Sequence, residues 1–229
     1  MSKNNFGGVN GFQNNKVGSV VGYQRKGEQV YRGYRKNVAN PNTQPQQRAR
    51  GRFGAMSSFL RLMAVPVAYG YGLAVKGTKY TERNMAMKNC WPALSGSGPI
   101  PTIDYSKIKL SKGNLNTPLI GRLDMSTANN VRIPIPSGVY DTYTREHMTL
   151  VCVVYCPAIE QIIVERENYA NVVTGASANV QVPTAWNGLE VYVWVYLGAL
   201  NGDIEDQMYG FIPNRSVSDT VFAGSGEIQ

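Results

Sequence analysis

Tyrosine, lysine and arginine side chains interleave near the amino terminus, and this pattern suits contact with nucleic acid. Cations bind phosphate, while flat rings stack on bases. A hairpin that docks on a neighbouring subunit would carry the same residues, so both readings stay open. The candidate contacts with nucleic acid or a subunit are Tyr23, Arg25, Lys26, Tyr31, Arg32, Tyr34, Arg35 and Lys36, followed by Arg48, Arg50 and Arg52. No helix-turn-helix or zinc-finger pattern accompanies them, which predicts binding without sequence preference.

The positive charge of the chain is concentrated in this same region. Residues 1–61 contain eleven lysines and arginines against one acid, Glu28, which gives +10. Residues 62–229 contain twelve basic and fourteen acidic residues, which gives −2 and accounts for the formal total of +8. A basic arm on a nearly neutral body implies that the arm meets something anionic or another subunit.

Residues that could support catalysis or bind a metal are few and poorly arranged. His147 is the single histidine and lies in a predicted turn before an apolar strand. Cys152 and Cys156, at i and i+4 of a strand, would lie roughly 13 Å apart, which is too far to share one metal ion or a disulfide. Glu165 and Glu167 flank an arginine and are expected to be solvated. The sequence therefore predicts no catalytic residue, no metal site, no cofactor and no small-molecule substrate.

The elements that hold the arm begin with a hairpin and a helix. Two β-favouring segments flank Lys26 and Gly27, which predicts a hairpin that turns there. Thr43 is the expected N-cap of a helix over residues 44–64, and an i, i+3, i+4 apolar stripe supports that helix. We therefore divide the chain into a basic arm over residues 1–40, a linking helix over 41–66 and a body over 67–229.

The body shows a β pattern from about residue 103 onward. Two segments, MTLVCVVYC and LEVYVWVYL, are apolar on both faces and are expected to be central strands. In the second, Tyr192, Trp194 and Tyr196 share one face, which we predict to contact a helix, the arm or, as a subunit interface, a neighbouring copy. The predicted strands are 105–110, 119–123, 131–135, 148–156, 161–165, 178–182, 189–197, 208–211 and 217–222.

This spacing of strands and turns predicts a mainly β fold. The expected architecture is an antiparallel β-sandwich, jelly-roll or immunoglobulin-like, with an N-terminal basic hairpin arm and one short helix. Apolar residues make up 43% of the chain, yet no run is long enough to span a bilayer, so we expect no membrane partner. Three cysteines without a recognisable signal peptide favour a reducing compartment.

The arm segment KVGSVVGYQRKGEQVYRGYRKNVANPNTQPQQRARGRF resembles the N-terminal signature of a domain family of unknown function from Bacteroidota genomes and their phages. That signature has a GKVGxVVG start and an NPxTxxQxxRxxF end. The body segments IDYSKIKLSKGNL and SVSDTVFAG are similar to the same family. The NPxTxxQxxRxxF phrase also resembles segments of phage structural proteins, which implies a virion component by analogy.

The residues and the resemblance together predict a structural virion protein, not an enzyme. We expect a capsid or capsid-associated subunit of a small phage or phage-like particle that self-assembles through its β body. Its partners would be other copies of itself, possibly in an icosahedral shell, and nucleic acid bound without sequence preference. It would be found in the virion and, during assembly, in the bacterial cytoplasm. The alternative is a non-specific nucleic-acid-binding protein without a shell role.

Overall fold

A computed structural model describes residues 15–25, 28–34, 42–136, 148–199 and 217–229. The chain divides into two compact units, residues 1–43 and residues 44–229. The helix that follows Thr43 belongs to the second unit, where it contributes to the core.

The N-terminal unit contains a three-stranded antiparallel sheet in chain order. Its strands are β1 (Asn15–Val17), β2 (Val20–Arg25) and β3 (Glu28–Gly33). Arg25 pairs with Glu28, so the predicted hairpin between β2 and β3 is confirmed. The strand β1 was not predicted. It joins β2 through a turn at Gly18, whose φ of 59° is a left-handed conformation that glycine adopts without steric cost.

Four α-helices are found in the described part of the second unit. They are α1 (Gln44–Leu62), α2 (Ala64–Tyr71), α3 (Glu82–Cys90) and α4 (Tyr169–Gly175). The helix predicted over 44–64 is therefore confirmed, but the prediction of one short helix is wrong. Pro66 does not end the helical region, because it lies in the first turn of α2, where its missing N–H is tolerated. Thr81 caps α3 by accepting a hydrogen bond from the Asn84 N–H.

A four-stranded antiparallel sheet forms the centre of the body. Its strands are β7 (Met148–Cys156), β8 (Gln161–Asn168), β10 (Glu190–Ala199) and β11 (Val221–Glu227). Their order in the sheet is β11, β10, β7, β8, which places the two apolar strands, β7 and β10, in the middle, as predicted. Two small antiparallel pairs accompany this sheet. They are β4 (Leu94–Ser95) with β5 (Thr102–Ile103), and β6 (Asn130–Pro134) with β9 (Ser177–Gln181).

Other elements pack on both faces of the central sheet. The aliphatic face of β10, which includes Val191 and Val193, packs with β6, β9 and α4 in one apolar cluster. The aromatic face packs against α1, α2 and α3 in a second cluster. The fold is therefore mainly β with antiparallel sheets, and the aliphatic face belongs to the core, as predicted. The second sheet that packs on the aliphatic face is the two-stranded pair β6–β9. The jelly-roll or immunoglobulin-like sandwich therefore stays a prediction.

Of the contacts predicted for Tyr192, Trp194 and Tyr196, namely a helix, the arm or a neighbouring copy, the structure shows the contact with helices. Trp194 and Tyr196 are fully buried under the helices of their own chain. The Trp194 indole N–H donates to the Tyr105 carbonyl at 3.1 Å, and the Tyr196 hydroxyl donates to the Pro66 carbonyl at 2.9 Å. These two side chains therefore have no surface left for a neighbouring subunit. Tyr192 is half-buried at the end of the helix layer.

Two predicted strands in the body are not strands. Residues 105–107 form a short 3₁₀ turn, because the Asp104 carboxylate accepts a hydrogen bond from the Ser106 N–H and caps it. Residues 119–123 form no ladder. The last predicted strand, 217–222, is displaced to 221–227, and the predicted strand 208–211 lies outside the described residues.

The segments 110–115 and 217–220, far apart in sequence, are joined by hydrogen bonds. The Thr220 hydroxyl oxygen accepts from the N–H groups of Leu110 and Ser111, at 2.9 and 2.6 Å. The Ser111 hydroxyl donates to the Ser218 carbonyl at 2.8 Å. Position 113 requires glycine, because a Cβ added there would lie 1.7 Å from the Val217 carbonyl oxygen and clash with it. Both segments are among those that carry the family resemblance, so the structure gives them a common role in closing the body.

Candidate nucleic-acid interface

The N-terminal sheet separates its charged and uncharged side chains onto two faces. Directly paired residues of an antiparallel sheet point to the same side. Lys16 pairs with Val21, which pairs in turn with Arg32, so the two cations flank one valine on one face. Tyr23 and Glu28 share that face by strand alternation. We call this surface the cationic face of the hairpin.

Tyrosine rings hold the two cations of this face. The Lys16 Nζ lies 3.8 Å from the centroid of the Tyr34 ring, and the Arg32 guanidinium lies 5.8 Å from that of Tyr23. Attraction of this kind contributes about 0.5–1 kcal/mol at exposed sites. Tyr23 and Tyr34 remain 39% and 43% exposed. The cations are thus oriented by aromatic neighbours while their charge still faces solvent, an arrangement that suits binding to phosphate.

The opposite face of the hairpin carries no charge among its described side chains. Register places Val20 beside Gly33, Gly22 beside Tyr31, and Gln24 beside Gln29. Tyr31 is 56% exposed there. The sequence analysis grouped Tyr31 with Tyr23 and Tyr34, but the structure separates it from them. The signal was present in the sequence, because Tyr31 and Arg32 are neighbours on one strand and must point to opposite faces.

Lys16 is the residue of this face that the sequence analysis missed. It lies on β1, a strand of three residues next to a segment rich in asparagine and glycine. No hydrophobic alternation marks so short a strand, so its pairing with β2 could not be inferred. The structure does not describe the side chains of four predicted contacts. Arg25 ends β2, whereas Lys26, Arg35 and Lys36 lie outside the described residues.

The three arginines of α1 that were predicted as contacts belong to the second unit and differ in their surroundings. Arg48 and Arg50 are exposed. Arg52 is partly buried, and its guanidinium lies 5.2 Å from the Trp91 ring and donates to the Leu94 carbonyl at 2.9 Å. Arg52 therefore ties α1 to β4, which is a structural role. Arg48 and Arg50 remain the candidates on this helix for contact with an anion.

The cysteines of the body are buried and free, as predicted. Cys90, Cys152 and Cys156 have no exposed surface. Burial raises the pKa of the Cys90 thiol to about 11, and burial also raises the pKa of Cys152. A protonated, enclosed thiol is a poor nucleophile. Among the described residues there is no group of three or more His, Cys, Asp or Glu placed to hold a metal ion.

The acidic and histidine candidates do not form a site in the described residues. Glu165 is exposed on β8, and Glu167 accepts a hydrogen bond from the Asn179 backbone N–H. Burial is the main cause that raises the pKa of Glu167. His147 lies outside the described residues. None of the described helices has the length and apolar character needed to cross a bilayer.

Comparison with known proteins yields one family. A family model described as a family of unknown function, DUF6266, matches residues 11–208. The match covers all three strands of the N-terminal sheet and the larger part of the body. No curated protein and no solved structure matches the chain.

Proposed function

We propose that this chain, which belongs to the DUF6266 family of unknown function, is a structural protein of a small phage or phage-like particle. The body would assemble with other copies of itself, and the N-terminal hairpin would contact the packaged nucleic acid. The observation that carries this proposal is the cationic face of the hairpin, where tyrosine rings orient Lys16 and Arg32 toward solvent. The virion setting rests on the resemblance of the NPxTxxQxxRxxF phrase to phage structural proteins.

The charge distribution supports a division of labour between the two units. Residues 1–43 contain seven basic residues and one acid, which gives +6, while residues 44–229 contain sixteen basic and fourteen acidic residues, which gives +2. A cation that binds phosphate releases condensed counterions, and this gain does not depend on base sequence. A nearly neutral body suits close approach of many copies, since strong like charge would oppose assembly. The packing of β6 and β9 on the central sheet would be the sandwich part of such a subunit.

The second candidate is a nucleic-acid-binding protein without a shell role. It is favoured by the finding that residues 1–43 form a compact unit of their own, since such a unit can bind nucleic acid without any assembly of the body. Size-exclusion chromatography with light scattering separates the two candidates. Large closed particles support the virion protein, whereas a monomer that shifts only when an oligonucleotide is added supports the second candidate. Neither candidate requires catalysis.

The contact of the hairpin with nucleic acid is tested by salt dependence. Each phosphate that a cation neutralises adds about 0.7–0.9 to the slope of log affinity against log salt. Lys16→Gln combined with Arg32→Gln should therefore lower the slope by about 1.4–1.8. Fluorescence anisotropy with a labelled oligonucleotide at several salt concentrations measures it.

A matched control removes the same charge from the body. Lys88 lies 5.7 Å from the Tyr80 ring, so it repeats the lysine–tyrosine arrangement away from the hairpin. Lys88→Gln combined with the exposed Arg122→Gln should leave the slope unchanged. An unchanged slope in the hairpin variant, or an equal decrease in the control, would reject the hairpin as the binding surface. Loss of particles with the parent's slope would indicate a hairpin that holds a neighbouring subunit.

A further inference from the structure

The helices do not cover the whole aromatic face of the central sheet. At the end where β10 begins, register places Tyr155 of β7 beside Tyr192, and Tyr192 beside Ser225 of β11. Two residues further toward the start of β10, Glu190 pairs with Glu227. Paired side chains point to the same side of a sheet, so the two glutamates lie next to the two tyrosines on one face. Glu190, Ser225 and Glu227 are exposed.

Two half-buried tyrosines, Tyr105 and Tyr192, border this area, and the buried Tyr155 lies beneath them. The ring of Tyr105 lies 4.4 Å from that of Tyr192 and 5.6 Å from that of Tyr155, measured between centroids. Tyr105 and Tyr192 are half-buried, so part of each ring is open to solvent. We name the area the tyrosine–glutamate strip, and it consists of Tyr105, Tyr155, Glu160, Glu190, Tyr192 and Glu227.

Carboxylates of the strip help to raise the pKa of the Tyr105 and Tyr192 hydroxyls. Burial raises the pKa of Tyr105, and the charges of Glu160 and Glu190 raise it further. Burial and a hydrogen bond with Glu190 raise the pKa of Tyr192. The glutamates and the tyrosines therefore form one surface. Glu190 and Glu227 stand directly opposite each other, and like charges in that position destabilise a sheet unless a cation joins them.

We propose that the tyrosine–glutamate strip binds the cationic face of the N-terminal hairpin of a second copy of this chain. The strip offers exposed carboxylates beside the half-buried rings of Tyr105 and Tyr192, and the hairpin offers Lys16 and Arg32 beside Tyr34 and Tyr23. The charges are complementary, since Glu190 and Glu227 are exposed on the strip and Lys16 and Arg32 are exposed on the hairpin. Arginine and lysine bind both carboxylates and aromatic faces.

Such a contact joins two different surfaces of two copies. Contacts of this type repeat from copy to copy and generate rings or larger assemblies. The inference rests on the proposed function in one respect, because nucleic acid and the strip would use the same face of the hairpin. A copy whose hairpin is held by a neighbour would therefore bind nucleic acid less well than a free one.

The test uses the full-length protein and a labelled synthetic peptide of residues 15–36 as the probe. Glu190→Gln combined with Glu227→Gln should weaken peptide binding by about tenfold, as expected for the loss of two exposed charge pairs. Glu190→Asp combined with Glu227→Asp keeps the charges and should restore most of the affinity. The matched control is Glu82→Gln with Glu165→Gln, which removes two body carboxylates elsewhere and should bind the peptide as the parent does. Circular dichroism confirms that each variant is folded.

Two results would overturn the inference. One is that the variant with Glu190→Gln and Glu227→Gln binds the peptide with the parent's affinity. The other is that the matched control loses as much affinity for the peptide as this variant does. Nucleic-acid binding by the same proteins separates this test from that of the proposed function. The strip variant should bind an oligonucleotide with the parent's salt slope. Peptide binding that depends on the strip, in a protein that binds no nucleic acid, would support the strip and reject the genome contact.

Discussion

The N-terminal sheet and the central sheet are both antiparallel and rich in valine and tyrosine, yet they differ in how their faces are covered. In the central sheet every residue of β7 is buried, because helices cover one face and β6, β9 and α4 cover the other. In the N-terminal sheet Tyr23, Tyr31 and Tyr34 remain exposed. The covered sheet stabilises the body, whereas the uncovered one presents its tyrosine side chains to solvent.

The largest effect that would test this contrast comes from a charge in the covered sheet. Val193 has no exposed surface, so Val193→Asp places a carboxylate where neither water nor a partner can stabilise it. We expect this variant not to fold. Tyr31→Asp, on the exposed hairpin, should change the free energy of unfolding of the body by less than about 0.5 kcal/mol. Circular dichroism and urea unfolding measure both, and a folded Val193→Asp protein would contradict the assignment of the core.

A smaller effect is expected at Trp194. If Trp194 formed a subunit interface, as the sequence analysis allowed, Trp194→Ser would spare the fold and weaken assembly. Because the helices bury this side chain completely, we now expect the variant to lose about 3–5 kcal/mol of stability. Urea unfolding of the isolated subunit gives the value. Parental stability combined with impaired assembly would instead restore the subunit interface at this residue.

Alkaline pH should reveal the burial of Cys90. Its folded pKa of about 11 lies above the ordinary value of 9.0, so its contribution to stability is full below pH 9 and is lost as the pH rises through about 11. The loss amounts to about 2–3 kcal/mol. Unfolding titrations between pH 8 and pH 11 should show a shallower decline in Cys90→Ala than in the parent. Identical pH profiles would mean that the thiol is not enclosed.

The smallest effect concerns the two faces of the hairpin. Tyr34→Leu removes the ring beneath the Lys16 ammonium and should weaken nucleic-acid binding about threefold, in line with an exposed cation–π contact. Tyr31→Leu changes the uncharged face and should leave the affinity within about twofold of the parent. Anisotropy titrations at constant salt compare the two variants. A loss at Tyr31 as large as that at Tyr34 would contradict the assignment of the faces.

The central strands could be predicted because their sequence is unambiguous. Long apolar segments identified β7 and β10 as the middle of the sheet, and alternation assigned Val193 to the core. Alternation could not say what covers the other face. The helix α2 was missed because Pro66 and Gly70, which normally interrupt helices, are accommodated at the first turn and by close packing. An added Cβ on Gly70 would lie 2.3 Å from the Leu110 carbonyl oxygen.

The candidate interface was predictable in composition but not in geometry. The interleaved tyrosines and cations indicated the hairpin, and alternation would have placed Tyr31 apart from the others. Two features depend on contacts distant in sequence. Lys16 joins the cationic face only through the pairing of β1, and Arg52 has a structural role only because Leu94 and Trp91 lie beside it. Local sequence carries no information about such partners.

The hydrogen bonds between residues 110–115 and 217–220 have a consequence for the order of events at the ribosome. Domains fold from the amino terminus as they are synthesised. Here the N–H groups of Leu110 and Ser111 donate to the Thr220 hydroxyl oxygen, which is synthesised 110 and 109 residues later, respectively. β11 is equally late, so β10 emerges from the ribosome with one edge unpaired. The body can therefore close only once residues 217–227 have emerged from the ribosome.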